Sequence, residues 1–312
     1  MKRKIILDCD PGQDDAIALF LAYASSDELD VLGVSSVAGN VGLEKTTRNA
    51  RILSDLAGRT DIHVYAGCAA PLLNQIVSAE HVHGKEGIDG VELFDPKTPL
   101  SETHAVDFII ETLLAAEVDE ITLVPTGPLT NIAVAIRQEP AILPKIREIV
   151  LMGGAKSVGG NVTPSAEFNI YFDPHAAHIV MSCGRPIAVF GLDVTHQLPT
   201  TAERLDRIKA IGSPAAQAAH GLLTFYGAAV ANFLSLDGPP LHDPCTIAYL
   251  LDPTLFTMKP CNIRVETSSE LTMGHTAVDL LGVTGLPVNA VWATRVDDEA
   301  FYDLLISRIA RL

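Results

Sequence analysis

Four carboxylates, Asp8, Asp10, Asp14 and Asp15, fall within eight residues directly behind the apolar run Ile5-Ile6-Leu7. Charges of one sign packed this closely must be held together. Two carboxylates about 4 Å apart repel by roughly 4 kcal/mol at an effective dielectric of about 20. A bound cation removes that penalty, and a shared proton reduces it. Carboxylate and carbonyl oxygens suit a hard ion such as calcium or magnesium, whereas zinc usually recruits His or Cys, and Cys9 is the one soft ligand nearby. Solvated loop acids with a helix cap among them are the plainer alternative. Four acids beside an apolar strand make it the weaker one.

Two further segments carry groups that titrate, His81-Val82-His83-Gly84 and Leu241-His242-Asp243-Pro244. His242 is the stronger candidate, because Asp243 precedes Pro244 at a common helix start, which aims carboxylate and imidazole at one opening. The His81/His83 pair lacks a third soft ligand for zinc. Gly153-Gly154 and Gly159-Gly160 suggest a phosphate cradle, but no Lys-Ser or Lys-Thr follows in register and no GxGxxG is present.

The elements that must position these groups alternate along the chain. Residues 4–8 read as a buried strand, Pro11-Gly12 as a turn, and 14–24 as a helix whose Asp14 and Asp15 suit its positive end. Strands follow at 30–37, 62–65, 121–124, 148–152 and 186–190, with helices at 44–56, 105–116, from 130, and at 174–182. After about residue 200 come helices at 201–211 and 214–234 and a third from Asp243-Pro244. Two or three late strands, near 262–266 and 289–296, precede a closing helix at 298–311. Apolar strands separated by helices predict an α/β fold, one domain over residues 1–312, with a mostly parallel, Rossmann-like central sheet. In such sheets ligands bind beyond the carboxyl ends of the strands. The residues collected there are Asp10, Asp14, Asp15, Asn40, Thr126 and Met152, with Asn161, Glu167 and Asn169 on the loop beyond. Nearly all are oxygen donors or amides.

The chain of 312 residues is 48% hydrophobic, enough for a large core. Its net charge of -16 disfavours nucleic acid and anionic membranes as partners. Five cysteines, an odd count without CxxC spacing, argue against a disulfide framework. No signal-peptide core or bilayer-length apolar run is visible, so a cytoplasmic protein is expected.

Taken together, the motifs resemble the inosine-uridine-preferring nucleoside hydrolases. The opening is similar to the family's DxDPGxDD signature. It is followed by VAGN ending at Asn40, HG at His83-Gly84, VPTGPLTN at Val124 to Asn131, LMGG at Leu151 to Gly154, AEFN at Ala166 to Asn169, and HDP at His242 to Pro244. The resemblance implies the nucleoside hydrolase fold and a Ca2+ held by Asp10, Asp15, the main-chain oxygen of Thr126, and Asp243, with water and the ribose diol completing the shell. It also implies Asp14 and Asn40 on the 2′-hydroxyl side, Asn169 on the 3′-hydroxyl side, and Asn161 with Glu167 at the 5′-hydroxyl. A homo-oligomer, dimer or tetramer, is expected on the same ground.

Cleaving an N-glycosidic bond through an oxocarbenium-like state needs an electron-rich site, a water activated on one face, and help for the leaving base on the other. By the resemblance, Asp10 is the general base and His242 the leaving-group donor, since His titrates near neutrality. His83, Phe225, Tyr226 and Phe233 are candidates for contacting the base, with core packing as the alternative for Phe225 and Phe233. The segment HDPCTIAYLLDP is most similar to pyrimidine-preferring members, which favours uridine and cytidine, with purine or broad specificity as the alternative. His83-Gly84-Lys85-Glu86-Gly87 departs from a common HGESG pattern in a possible lid. Two rival functions remain: a phosphohydrolase with Asp8 or Asp10 as nucleophile, and a non-catalytic ribose-binding protein.

Overall fold

Nine strands form one sheet in the computed structural model, which describes residues 2–231 and 237–312. In chain order they are β1 (Arg3–Cys9), β2 (Leu29–Ser36), β3 (Val64–Ala66), β4 (Ile121–Pro125), β5 (Ile146–Met152), β6 (Ile187–Phe190), β7 (Phe256–Val265), β8 (Thr276–Asp279) and β9 (Ala290–Val296). Across the sheet they run β3-β2-β1-β4-β5-β6-β9-β7-β8. From β3 to β9 neighbours are parallel, and β7 is antiparallel to both β9 and β8. The expected mostly parallel α/β sheet is present, with an antiparallel margin that the sequence reading did not specify.

Side chains of β1 show why both faces must be covered. Ile5, Leu7 and Cys9 enter a core shared with the helices Gln13–Ala24, Pro244–Leu251 and Asp298–Ile309. Ile6 points into the opposite core, with the helices Ala105–Leu114, Thr130–Gln138 and Pro174–Met181. Successive strand residues face opposite ways, so a strand clad by helices on both sides is apolar throughout. The helix Gln13–Ala24 is buried at every residue, because it is wedged between the sheet and the helices Leu43–Leu56, Pro214–Val230, Pro244–Leu251 and Asp298–Ile309. That explains its nearly all-round apolar sequence after Asp15. Truncating Phe20 on it to Ala would cost about 3–5 kcal/mol.

Three one-turn helices, Glu80–His83, Phe168–Phe172 and Leu192–Thr195, lie in segments where no helix was expected. Each is too short to show a 3.6-residue period. The helix expected over 214–234 is described as Pro214–Val230, and the candidate Phe233 lies outside the described residues. No helix among the described residues is long and apolar enough to cross a membrane.

The chain winds from β1 outward through β2 to β3, and on the other side from β4 through β5 to β6, so the order reverses between β1 and β4. Loops leaving those two strands part in opposite directions. A crevice opens between them.

Candidate active site

That crevice is a cavity of about 490 Å3. Of the residues expected at the site, Asp10, Asp14, Asp15, Asn40, His83, Thr126, Met152, Asn161, Glu167, Asn169, Tyr226, His242 and Asp243 line it. Two roomier hollows, of about 800 and 970 Å3, lie along the margin formed by β7 and β8, without a comparable cluster of buried acids. Phe225 is half-buried on its helix and does not line the crevice.

Asp14, Asp15 and Asp243 each bring a carboxylate oxygen to within 4.8 Å of the others. All three are buried. Burial first, and then the neighbouring negative charges, push Asp243 well above the usual carboxylate range, and Asp14 up to about 7. Asp15 shifts the same way through burial, opposed by hydrogen bonds it accepts from the Gly12 N–H at 3.0 Å and the Thr126 hydroxyl at 2.8 Å. With no cation among them, protonation is favoured in this group by burial and by the neighbouring carboxylates. The donors are hard oxygens. The thiol of Cys9 points to the Ser35 carbonyl, 3.7 Å away inside the core, and adds nothing soft to the crevice. The set fits a hard divalent cation.

The arrangement differs from the expected ligand set in one respect. Asp14, expected toward the ribose, joins the three-carboxylate group, while Asp10 is outside it. The reason is local. Oδ2 of Asp10 accepts from the Asn40 backbone N–H at 2.7 Å, and the carboxylate occupies space that a Cβ on Gly39 or Gly127 would need. The main-chain oxygen of Thr126 accepts from the Asn169 amide at 2.6 Å.

On the wall away from the carboxylates, the Tyr226 hydroxyl lies 3.2 Å from Nε2 of His242, whose Nδ1 is 2.7 Å from the Thr195 hydroxyl. The Tyr226 ring is stacked beside His83 at 6.0 Å. Burial pulls both His83 and His242 down to about 3 and pushes the Tyr226 phenol well above its ordinary value. His242 is therefore neutral at pH 7, which corrects the expectation that it titrates near neutrality.

Asn161 and Glu167 organise the loop above β5. The Asn161 side-chain Oδ1 accepts from the Phe168 N–H at 2.9 Å, and Glu167 accepts from the N–H groups of Gly154, Asn169 and Ile170 at 2.9, 2.9 and 3.2 Å.

The profile of the family described as inosine-uridine preferring nucleoside hydrolase matches residues 5–303. The chain belongs to that family. An uncharacterized protein of Schizosaccharomyces pombe is 49% identical over 99% of both chains. The pyrimidine-specific ribonucleoside hydrolase RihA of Shewanella sp. (strain MR-7) is 46% identical, over 99% of this chain and 97% of its own. The structure of the plant nucleoside hydrolase PpNRh1 superposes with a TM-score of 0.93 at 34% identity over 99% of both chains.

In this nucleoside hydrolase no Lys or Arg is among the described residues lining the crevice, and the Asp8 carboxylate turns away from it to Ser35 and Asn131, at 2.5 and 2.8 Å. Neither feature suits a phosphohydrolase. Three groups of the hydrolase escaped the sequence reading. His196, on the crevice, and Thr195 lie just beyond β6, in a segment without a signature motif. Gln13 sits inside the DxDPGxDD motif, and nothing in its type signals a role. The His83–Gly87 segment is anchored to the helix Leu43–Leu56: Asn49 donates to the Glu86 carbonyl at 2.7 Å, Arg48 pairs with the Glu86 carboxylate at 2.7 Å, and Lys45 donates to the Lys85 carbonyl.

Proposed function

We propose that this nucleoside hydrolase is calcium-dependent, prefers the pyrimidine ribonucleosides uridine and cytidine, and gives ribose and the free base. The observation that carries this reading is one cavity with a buried carboxylate cluster on one wall and a neutral His–Tyr–His group on another. Asp15 and Asp243 would hold the ion together with Asp10 and the main-chain oxygen of Thr126. Bound calcium would supply the positive charge that keeps these carboxylates ionised and favours the ribose diol and a water beside them.

Asp10 then takes the proton of the attacking water as its oxygen bonds to the anomeric carbon, with inversion, and the bond to the base breaks on the opposite face. His242, coupled to Tyr226, faces the departing base as a neutral hydrogen-bond donor. Asp14 and Asn40 read the 2′-hydroxyl, Asn169 the 3′-hydroxyl, and Asn161 with Glu167 the 5′-hydroxyl.

The pyrimidine preference is supported by likeness to RihA, whose name states it, and by the segment from His242 to Pro253. Purine or broad specificity is the alternative. We further infer one functional unit over residues 1–312, a homo-oligomer and a cytoplasmic location, in line with the family resemblance. Ribose release from uridine, cytidine, inosine and adenosine, each with calcium and with a strong chelator, tests reaction, base choice and ion together. Faster turnover of the purines, or undiminished turnover in chelator, would overturn the corresponding part.

A further inference from the structure

We propose that Gln13 is a positioning residue that holds His83 in its Nδ1–H tautomer, so that Nε2 faces the crevice as a hydrogen-bond acceptor for the N3–H of uracil. The proposal rests on the nucleoside reading for its occupant. Its geometric part stands without it.

The side-chain amide of Gln13 has only one orientation that satisfies its neighbours. Its Nε2 faces two main-chain carbonyls, those of His83 at 2.9 Å and Asp89 at 3.2 Å. Carbonyls only accept, so the nitrogen must be on that side and Oε1 on the other. Oε1 lies 2.6 Å from Nδ1 of His83. An amide oxygen cannot donate, so the hydrogen between them belongs to Nδ1. A neutral imidazole protonated at Nδ1 has a lone pair at Nε2, and burial keeps this ring neutral by pulling His83 down to about 3.

Nε2 of His83 has no hydrogen-bond partner among the described residues, and it is not among their sealed, unpartnered atoms either. Its ring lines the crevice. The close approach depends on Gly12, where a Cβ would lie 2.5 Å from Nδ1.

The lone pair needs a donor from the occupant. Ribose hydroxyls are drawn to the carboxylate wall, whereas His83 stands parallel to the Tyr226 ring, where a flat base would pack. Once N1 carries the sugar, uracil has a single N–H, at N3, whereas cytosine carries none there, so this pairing ranks uridine above cytidine within the pyrimidine preference. A buried acceptor left without its donor costs about 1–3 kcal/mol, so recognition here is a matter of pairing rather than shape.

The test combines a spectroscopic and a kinetic measurement. Side-chain 15N correlation spectra of the calcium-loaded protein at pH 7, with His83 assigned through His83→Asn, should show Nδ1 protonated and Nε2 bare. Gln13→Leu, which has no acceptor to offer, should release that preference. An Nε2–H signal in the wild type would overturn the proposal, as would an unchanged tautomer in Gln13→Leu. In ribose release, 3-methyluridine should fall below uridine in kcat/KM on the order of 10- to 100-fold, and Gln13→Leu should narrow that gap. Equal turnover of the two nucleosides by the wild type would overturn the N3–H assignment. No ribose from uridine at all would instead defeat the hydrolase reading, while the spectra would still report on Gln13.

Discussion

The hydroxyl of Tyr226 and Nε2 of His242 stand 3.2 Å apart, and both groups are buried and neutral. A proton passed to a departing base must then come from a neutral O–H or N–H whose loss is shared between the two. Replacing His242 with Asn should lower kcat by about 10²- to 10⁴-fold, the usual range for one general acid. Tyr226→Phe should lose a smaller part of the same factor, with KM nearly unchanged. Single-turnover ribose release would measure both, and full activity in His242→Asn would remove it from the role.

Asp10 is held by what its neighbours lack. A Cβ on Gly127 would lie 2.5 Å from its Oδ1, and one on Gly39 would overlap its Oδ2. Either glycine replaced by Ala must therefore displace the carboxylate. We expect kcat to drop on the order of 10²-fold in each variant, the scale of an ångström-sized misplacement, with stability reduced by about 1–3 kcal/mol. Circular dichroism and thermal melts beside the kinetics would separate the two effects. A Gly127→Ala protein with wild-type kcat would show that the position of Asp10 is not critical.

Calcium should act on stability with a definite pH dependence. In the cation-free protein burial holds Asp14, which shares its cluster with the proposed ligands Asp15 and Asp243, up to about 7, whereas an unfolded Asp ionises near pH 4. Between those values the folded state binds more protons than the unfolded one, so its stability falls as pH rises from about 4 to 7. An ion that replaces those protons stabilises by about 2.7 kcal/mol at a hundredfold excess over its Kd. Melts with calcium and with chelator should differ on the order of 5 °C near pH 8 and converge toward pH 5. A gap that is constant or widens toward low pH would contradict the assignment of these carboxylates to the ion.

The 2′-hydroxyl offers a fourth test. If Asp14 and Asn40 bind it, 2′-deoxyuridine leaves buried polar groups unpaired and should react at least about 10²-fold less well than uridine in kcat/KM. Comparable rates would place the 2′-hydroxyl away from both residues.

Much of this site could be read from the chain because parallel strands are apolar on both faces. A polar residue directly after such a run, as at Asp10, Asn40 and Thr126, is therefore conspicuous, and the sheet brings those positions together. What stayed hidden depends on packing between distant segments. The contact of Gln13 with His83 joins residues separated by 70 positions, and no spacing rule connects a glutamine to a histidine on a one-turn helix. The neutrality of His242 was equally hidden, because burial and not its neighbours in sequence sets its protonation. Of the antiparallel margin, only the end of β7 was expected, near 262–266, and β8 escaped because an exposed edge strand has a weak apolar pattern.

The three carboxylates that converge come from the two ends of the chain, Asp14 and Asp15 on its first helix and Asp243 just ahead of one of its last. Until the helix Pro244–Leu251 docks against Gln13–Ala24, Asp243 is missing from the carboxylate cluster. Closing so long a loop is entropically costly, and here it also drives like charges together. An ion bound there would tie the first helix to the last quarter of the chain, so that metal binding and the docking of these two distant segments would be one event.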